Sequence, residues 1–452
     1  MMDLRDAANA MQGKLHGATR RFSGVSTDSR AVQPGDLFVA LKGERFDAHE
    51  YLPEAQRRGA VAAVTARVVE LQPQIPQVVV ADTRLALGRL AARWRARFAL
   101  PVAGLTGSNG KTTVKEMLTA ILAWHLGDRE GVLATEGNLN NDIGMPITLL
   151  KLRESHRYAV IEMGMNHEGE IDYLTRIAQP TVAIVNNAQR AHVGILGSLE
   201  AIARAKGEIY AGVHASGVAV INEDDAFASY WKGLNRERRI LTFGFASTAN
   251  VRGRLDGASL HVQLPTGAFE VVLQVSGEHN ARNALAACAA AFALDLPIDA
   301  MREGLAGFAG VPGRLQRRRA ADGCWVIDDS YNANPESMKA AISVLAAQPG
   351  RRVMVMGDMG ELGATSATLH AEVGAFARES GIDALLALGA DSREAVKAFG
   401  PAARPFDEID ALIAAARDEC HNGATVLVKG SRFMRMERVA DALAAEGETH
   451  AV

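Results

Sequence analysis

The residues with the clearest chemical potential form one octet, Thr106-Gly107-Ser108-Asn109-Gly110-Lys111-Thr112-Thr113. It follows the short run Val102–Thr106 and opens a helical stretch, Val114–Trp124. This is the setting of a phosphate-binding loop. Glycines let backbone N–H groups curl around phosphate oxygens, and the helix N-terminus adds partial positive charge. Lys111 would reach the β- and γ-phosphates of a nucleotide, and the Thr112 hydroxyl would ligate Mg²⁺. The strict Walker spacing is not met, because Leu105 holds the place of the first glycine. A chance Gly-Lys-Thr is the alternative. The strand–loop–helix setting favours a variant loop, with ATP and Mg²⁺ as its ligands.

Other groups are less specific. Ile161-Glu162-Met163-Gly164 puts a carboxylate at the C-terminal end of an apolar strand, where ligands gather in open α/β sheets. Magnesium prefers such oxygen ligands beside substrate phosphates. Taken alone, Glu162 would as often be a strand-end surface residue. His192, after Asn186-Asn187, reads as a hydrogen-bonded structural histidine, and Lys206 as a solvated helix lysine. The cluster Arg314-Leu315-Gln316-Arg317-Arg318-Arg319 reads as a solvated loop or phosphate contact. With a formal charge of −3, it argues against a nucleic-acid partner.

The elements that must hold these groups follow from pattern. A length of 452 residues suggests roughly three domains. Apolar residues at 48% and charged residues at 22% fit soluble globular domains. Residues 1–98 read as a small α/β unit: strand Asp36–Leu41, helix Leu52–Arg58, strand Ala60–Thr65, then a helix with a polar face of Arg84, Arg89, Arg93, Arg95 and Arg97. Leu100-Pro101 breaks that helix. From 99 to 310, the runs Val102–Thr106, Tyr158–Met163, Val182–Asn187 and Val218–Asn222 alternate with helical stretches, which implies a parallel sheet flanked by helices. Between Ile240 and Val275 the period falls to two, predicting a small antiparallel insert; an alanine-rich helix, Asn280–Leu294, follows. After a linker at Gly307–Gly313, residues 311–452 resume the alternation at Trp325–Asp328, Val353–Gly357, Ala384–Leu388 and Thr425–Lys429, as in a Rossmann-like domain. Cys288, Cys324 and Cys420 are far apart and in no CxxC spacing. That argues against a disulfide framework and fits a reducing cytoplasm. No signal peptide and no membrane-spanning run is expected.

Taken together, these stretches resemble the Mur ligase family, the ATP-dependent amide-bond ligases of peptidoglycan precursor synthesis. The octet, Glu162, Asn187 through His192, Ala205-Lys206 and Gly277-Glu278-His279-Asn280-Ala281-Arg282-Asn283 match the family in order and approximate spacing. Ser26-Thr27-Asp28-Ser29-Arg30 and Pro34–Leu41 resemble the branch that adds the third residue or the terminal dipeptide. Gly137–Gly144, Asp328–Pro335 and Gly357–Gly363 resemble the dipeptide-adding member, and no Asp-Asn-Pro-Arg motif is present. One departure is Asp47-Ala48-His49, where the family often has Asp-Gly-His; alanine resists positive φ.

The resemblance implies the chemistry. ATP would phosphorylate the carboxylate of UDP-N-acetylmuramoyl-tripeptide, and D-alanyl-D-alanine would attack the acyl phosphate. Lys111 and the backbone of Gly107, Ser108, Asn109, Gly110, Thr112 and Thr113 would hold the phosphates. Thr112 and Glu162 would bind one Mg²⁺ and His192 a second, beside a Lys206 carbamylated by CO₂. Asn280 would meet adenine, with helix capping as the plainer role; Asn283 shares its face. Arg314 would reach the γ-phosphate on domain closure, and Asp329 the ribose. Thr27, Ser29 and Arg30 would hold the UDP portion, with Asn138, Asn140 and Asn141 also on substrate. Asn332, Asn334 and His370 would face the dipeptide. Closure about both linkers would exclude water from the acyl phosphate. A cytoplasmic monomer without membrane insertion is implied. The rivals are a sibling such as the tripeptide-forming ligase or folylpolyglutamate synthase, and a P-loop kinase or nucleotide-binding regulator.

Overall fold

The structure, a computed structural model, describes residues 1–43, 46–320, 323–421 and 423–444. Its strands gather into three larger sheets of five, nine and six strands, with one small two-stranded ribbon.

The five-stranded sheet has the order Lys14–His16, Gln77–Val79, Ala62–Thr65, Asp36–Val39, Gly24–Ser26, and only its first pair is antiparallel. Asp36–Val39 and Ala62–Thr65 are buried along their whole length, as parallel strands covered on both faces must be. One face carries a local core around Phe38 and Leu52. On the other face, Leu37, Val39 and Val64 belong to one continuous apolar cluster with Val102, Ile161 and Val185 of the nine-stranded sheet. Helix Thr83–Arg95 joins them. Asp82 caps it by accepting from the Arg84 and Leu85 N–H groups, and its Leu87, Leu90 and Trp94 are buried. The Trp94 Nε1 donates to the Leu152 carbonyl at 3.1 Å.

Two expectations change here. Arg95 does not share the polar face: it is 7% exposed and donates to the carbonyls of Ala178, Phe98 and Gln179. Those of Ala178 and Gln179 close helix Glu170–Ala178, where C-terminal carbonyls lack helical partners. Ala48, in turn, begins the 3₁₀ turn Ala48–Tyr51 without positive φ, so glycine is not required there. Glu44 and Arg45 of the same segment lie outside the described residues.

In the nine-stranded sheet, Val132–Ala134, Tyr158–Glu162, Val102–Thr106, Val182–Val185, Val218–Asn222 and Arg239–Gly244 run parallel. Val251–Asp256 adds parallel to Arg239–Gly244, and Ser259–Leu264 and Gly267–Val272 follow antiparallel. The expected insert is therefore an extension of the main sheet. Helix Glu278–Ala293 shares one core with helix Lys111–Leu126; its many alanines permit close packing.

The six-stranded sheet starts with Gln316–Arg319 antiparallel at its edge, then Trp325–Asp329, Ala424–Lys429, Arg351–Gly357, Ala384–Leu388 and Ala403–Phe406, all parallel. Separate apolar clusters cover its two faces. The expectation about cysteines is corrected: Cys324 and Cys420 form a disulfide, 96 residues apart in sequence. Trp325–Asp329 and Ala424–Lys429 pair directly, which brings the residues before each strand side by side. Cys288 is free and buried, and burial pushes its thiol pKa up. No helix among the described residues is long and apolar enough to cross a membrane.

Candidate active site

The C-terminal strand ends of the nine- and six-stranded sheets face a common cleft of about 1010 Å³. The octet forms its floor. Gly110 has φ +78°, and a Cβ there would run into the Asn283 and Asn186 amides, so only glycine serves. The neighbouring asparagines lock the turn. Asn109 N–H donates to Asn187 Oδ1 at 2.8 Å, and Asn186 Nδ2 donates to the Asn109 carbonyl at 2.9 Å and to Asn283 Oδ1 at 3.0 Å. Asn280 lines the cleft and donates to the Ser276 carbonyl at 2.8 Å; this bond does not cap helix Glu278–Ala293, whose first turn has no side-chain acceptor.

Lys111 folds onto its own loop, with Nζ donating to the Gly107 carbonyl at 2.6 Å. Burial lowers its pKa, opposed by the Glu162 charge. Glu162 is 2% exposed and accepts from Thr112 Oγ1 at 2.9 Å and Asn140 Nδ2 at 2.7 Å. Across the cleft, Arg314 Nη2 donates to Thr112 Oγ1 at 2.9 Å, and its guanidinium lies 4.2 Å from the Tyr331 ring centroid. Asn109 and Asn334 exchange amide bonds at 2.7 and 3.3 Å.

Lys206 is not a solvated helix lysine. It is 2% exposed, and its pKa is held well below the ordinary lysine value by burial first and by Lys111 second; no carboxylate offsets them. His192, with φ 63°, places Nδ1 2.6 Å from Glu361 Oε2, and this contact holds the Glu361 carboxyl below the usual range. Asp329 pairs with Lys429 at 2.6 Å and accepts from the Leu315 N–H at 3.1 Å. Asn332 bonds its neighbour, Ala333 N–H, at 2.9 Å and lines the cleft, as do Asn138, Asn140 and Thr113.

Other expected site residues stand apart. His370 is fully buried inside the six-stranded unit, where it accepts from the Met359 N–H at 2.9 Å; it positions the Gly357–Leu362 loop and does not line the cleft. Asn141 does not line it either and accepts from the Gly144 N–H at 2.8 Å. Thr27, Ser29 and Arg30 sit on the N-terminal unit, with Ser29 Oγ donating to Glu54 at 3.0 Å and Arg30 paired with Asp28 at 2.8 Å. Two charged groups around the cleft escaped sequence reading. Lys429 ends an apolar strand just as Glu162 does, so the same logic would have found it. Arg190 had no local signal, because Glu336 and Glu372, its partners at 2.5 and 2.7 Å, lie 146 and 182 residues away.

The donor set suits Mg²⁺. No group of three or more His, Cys, Asp or Glu side chains could hold a metal among the described residues. Glu162 is instead a buried carboxylate whose hydrogen bonds come from neutral donors, with the Thr112 hydroxyl beside it. Magnesium is typically held by one or two such groups together with substrate phosphates and water.

Comparison with known proteins agrees. Residues 21–95, 105–291 and 313–432 match the family models for the Mur ligase catalytic domain, middle domain and glutamate ligase domain. The chain is 43% identical over 453 residues to the UDP-N-acetylmuramoyl-tripeptide–D-alanyl-D-alanine ligase of Escherichia coli, covering 98% of both sequences. It superposes on MurF from Acinetobacter baumannii with a TM-score of 0.89 at 40% identity, covering 97% of this chain and 98% of that one. MurF from Thermotoga maritima in complex with ADP aligns at a TM-score of 0.81 and 28% identity, covering 93% and 96%. The chain belongs to the Mur ligase family.

Proposed function

We infer that this chain is an ATP-dependent ligase that joins D-alanyl-D-alanine to UDP-N-acetylmuramoyl-tripeptide in peptidoglycan precursor synthesis. One observation carries the reading: a phosphate loop and a buried strand-end acid are met from across the cleft by Arg314, at Thr112.

A carboxylate oxygen is a poor leaving group. Its attack on the γ-phosphorus of ATP breaks the bond to ADP and yields an acyl phosphate. The dipeptide amine then attacks the acyl carbon, phosphate departs, and the nitrogen loses a proton. The protein's part is positioning and charge stabilisation. The loop N–H groups and Lys111 hold the phosphates, and Arg314 adds positive charge at the transferring group. Glu162 and Thr112 would hold Mg²⁺, which neutralises developing charge there.

Finer assignments belong to the same reading. His192 would serve a second Mg²⁺. Lys206 would carry a carbamate: burial favours loss of its proton, the free amine adds CO₂, and the product would set a negative charge opposite Lys111. Asn280 faces adenine with Asn283 beside it, Asp329 the ribose, and Asn332 and Asn334 the dipeptide. Thr27, Ser29 and Arg30 hold the UDP end, and Asn138 and Asn140 meet the substrate within the cleft. Residues 1–98, 99–310 and 311–452 divide UDP-substrate, ATP and dipeptide between them, in a cytoplasmic monomer.

Phosphate release should require D-alanyl-D-alanine, and release with a single amino acid, or with folate plus glutamate, would sink the assignment. For Lys206, native mass spectrometry should show an acid-labile CO₂ adduct, lost in Lys206→Ala together with activity. Full activity of that variant would end the carbamate proposal.

A further inference from the structure

D-Alanyl-D-alanine presents an amine at one end and a carboxylate at the other. The amine must reach the acyl carbon, so the carboxylate needs its own cation, in a cleft already charged with phosphate. Most cations lining the cleft are engaged. Lys111 bonds its loop, Arg314 bonds Thr112, Lys429 pairs with Asp329, Arg282 with Asp224 and Glu278, and Arg432 with Glu437.

Arg435 differs. It lines the cleft and is exposed, and its side chain makes no hydrogen bond or ion pair among the described residues. Its backbone is held at φ 50° and ψ 47°, a conformation that costs energy in a non-glycine residue. The segment bearing it is pinned rather than loose. Ser431 Oγ accepts from Gly360 N–H at 2.7 Å, and Ser431 N–H donates to the Asp358 carbonyl at 3.0 Å. Beside it Phe433, 64% exposed, lies over Gly360, where a Cβ would meet its ring at 3.0 Å. An unpaired guanidinium carried on a pinned backbone, two residues from an exposed apolar ring, suits a carboxylate flanked by a methyl group.

We propose that Arg435 is the receptor for the C-terminal carboxylate of the incoming dipeptide, with Phe433 against its terminal methyl. The proposal rests on the ligase reading above. Its test compares D-alanyl-D-alanine with D-alanyl-D-alaninamide, which keeps the amine and methyls but lacks the carboxylate. Wild-type enzyme should show a KM roughly 10- to 100-fold higher for the amide, the scale of one charge-assisted hydrogen-bonded pair. Arg435→Ala should raise the KM for the acid by a similar factor, leave that for the amide nearly unchanged, and leave the ATP KM unaltered; Arg435→Lys should recover part of the loss. Equal use of acid and amide by the wild type would overturn the proposal whether or not the variants fold. So would a variant that weakens both substrates alike. Absence of phosphate release from the wild type with D-alanyl-D-alanine would instead remove the ligase reading, and this proposal with it.

Discussion

Glu162 sits 2% exposed with a hydroxyl and an amide as its hydrogen-bond donors, an arrangement that leaves an anion in need of a cation. Glu162→Gln keeps the shape and removes the charge. It should retain the melting temperature while lowering kcat by about 100- to 1000-fold, the scale of losing one charge-stabilising group, with a raised Mg²⁺ requirement in a steady-state titration. Unchanged metal dependence would count against a Glu162 ligand. His370 gives the opposite pattern. As buried acceptor for the Met359 N–H, its replacement by alanine should cost roughly 1–3 kcal/mol in a denaturant melt, and affect the dipeptide KM only through the loop it supports. The difference between these residues marks what was legible in sequence. The octet and Glu162 were readable because strand-end position and backbone geometry are local properties. His370, Asn141 and Lys206 were not. Whether a side chain faces a cleft or a core depends on which elements cover it, and neighbours in sequence do not say.

At the scale of elements, ion pairs bridge the two sides of the cleft. Arg190, from the loop after Val182–Val185, reaches helix Pro335–Ala346 at Glu336 and helix Ser366–Glu379 at Glu372, where Lys339 joins at 2.5 Å. The Arg190 hydrogen bond is the leading cause that lowers the Glu372 pKa from 4.5 to about 2. A carboxyl whose folded-state pKa is depressed adds stability above its unfolded value, and loses it as pH falls toward the folded one. This contribution should therefore be complete above about pH 4.5 and vanish toward pH 2. It is worth about 1 kcal/mol after allowance for solvent screening. Arg190→Ala should flatten that part of the stability–pH curve and enlarge the radius of gyration of the ligand-free enzyme. An unchanged radius would show that the network does not hold the units together. The sheets themselves were predicted well by alternation of apolar runs. The parallel addition of Val251–Asp256 and the Cys324–Cys420 pairing were not, because both depend on which strands become neighbours.

For the whole molecule, the first boundary is unlike the second. Residues 1–98 share an apolar cluster with the central unit, whereas the clusters of the C-terminal sheet belong largely to its own residues. Trp94→Ala should thus cost about 3–5 kcal/mol, and calorimetry should show it lowering a transition common to both N-terminal units. A separate, unaffected N-terminal transition would contradict a common core. In mechanical language, closure was expected about both linkers, but the shared cluster predicts a lever with a single joint near Gly307–Gly313. Residues 1–98, proposed to hold the UDP end, should then travel with the phosphate loop. If only the arm bearing Arg314 swings, a distance label spanning residues 1–98 and the central unit should stay fixed through turnover while one spanning the joint moves.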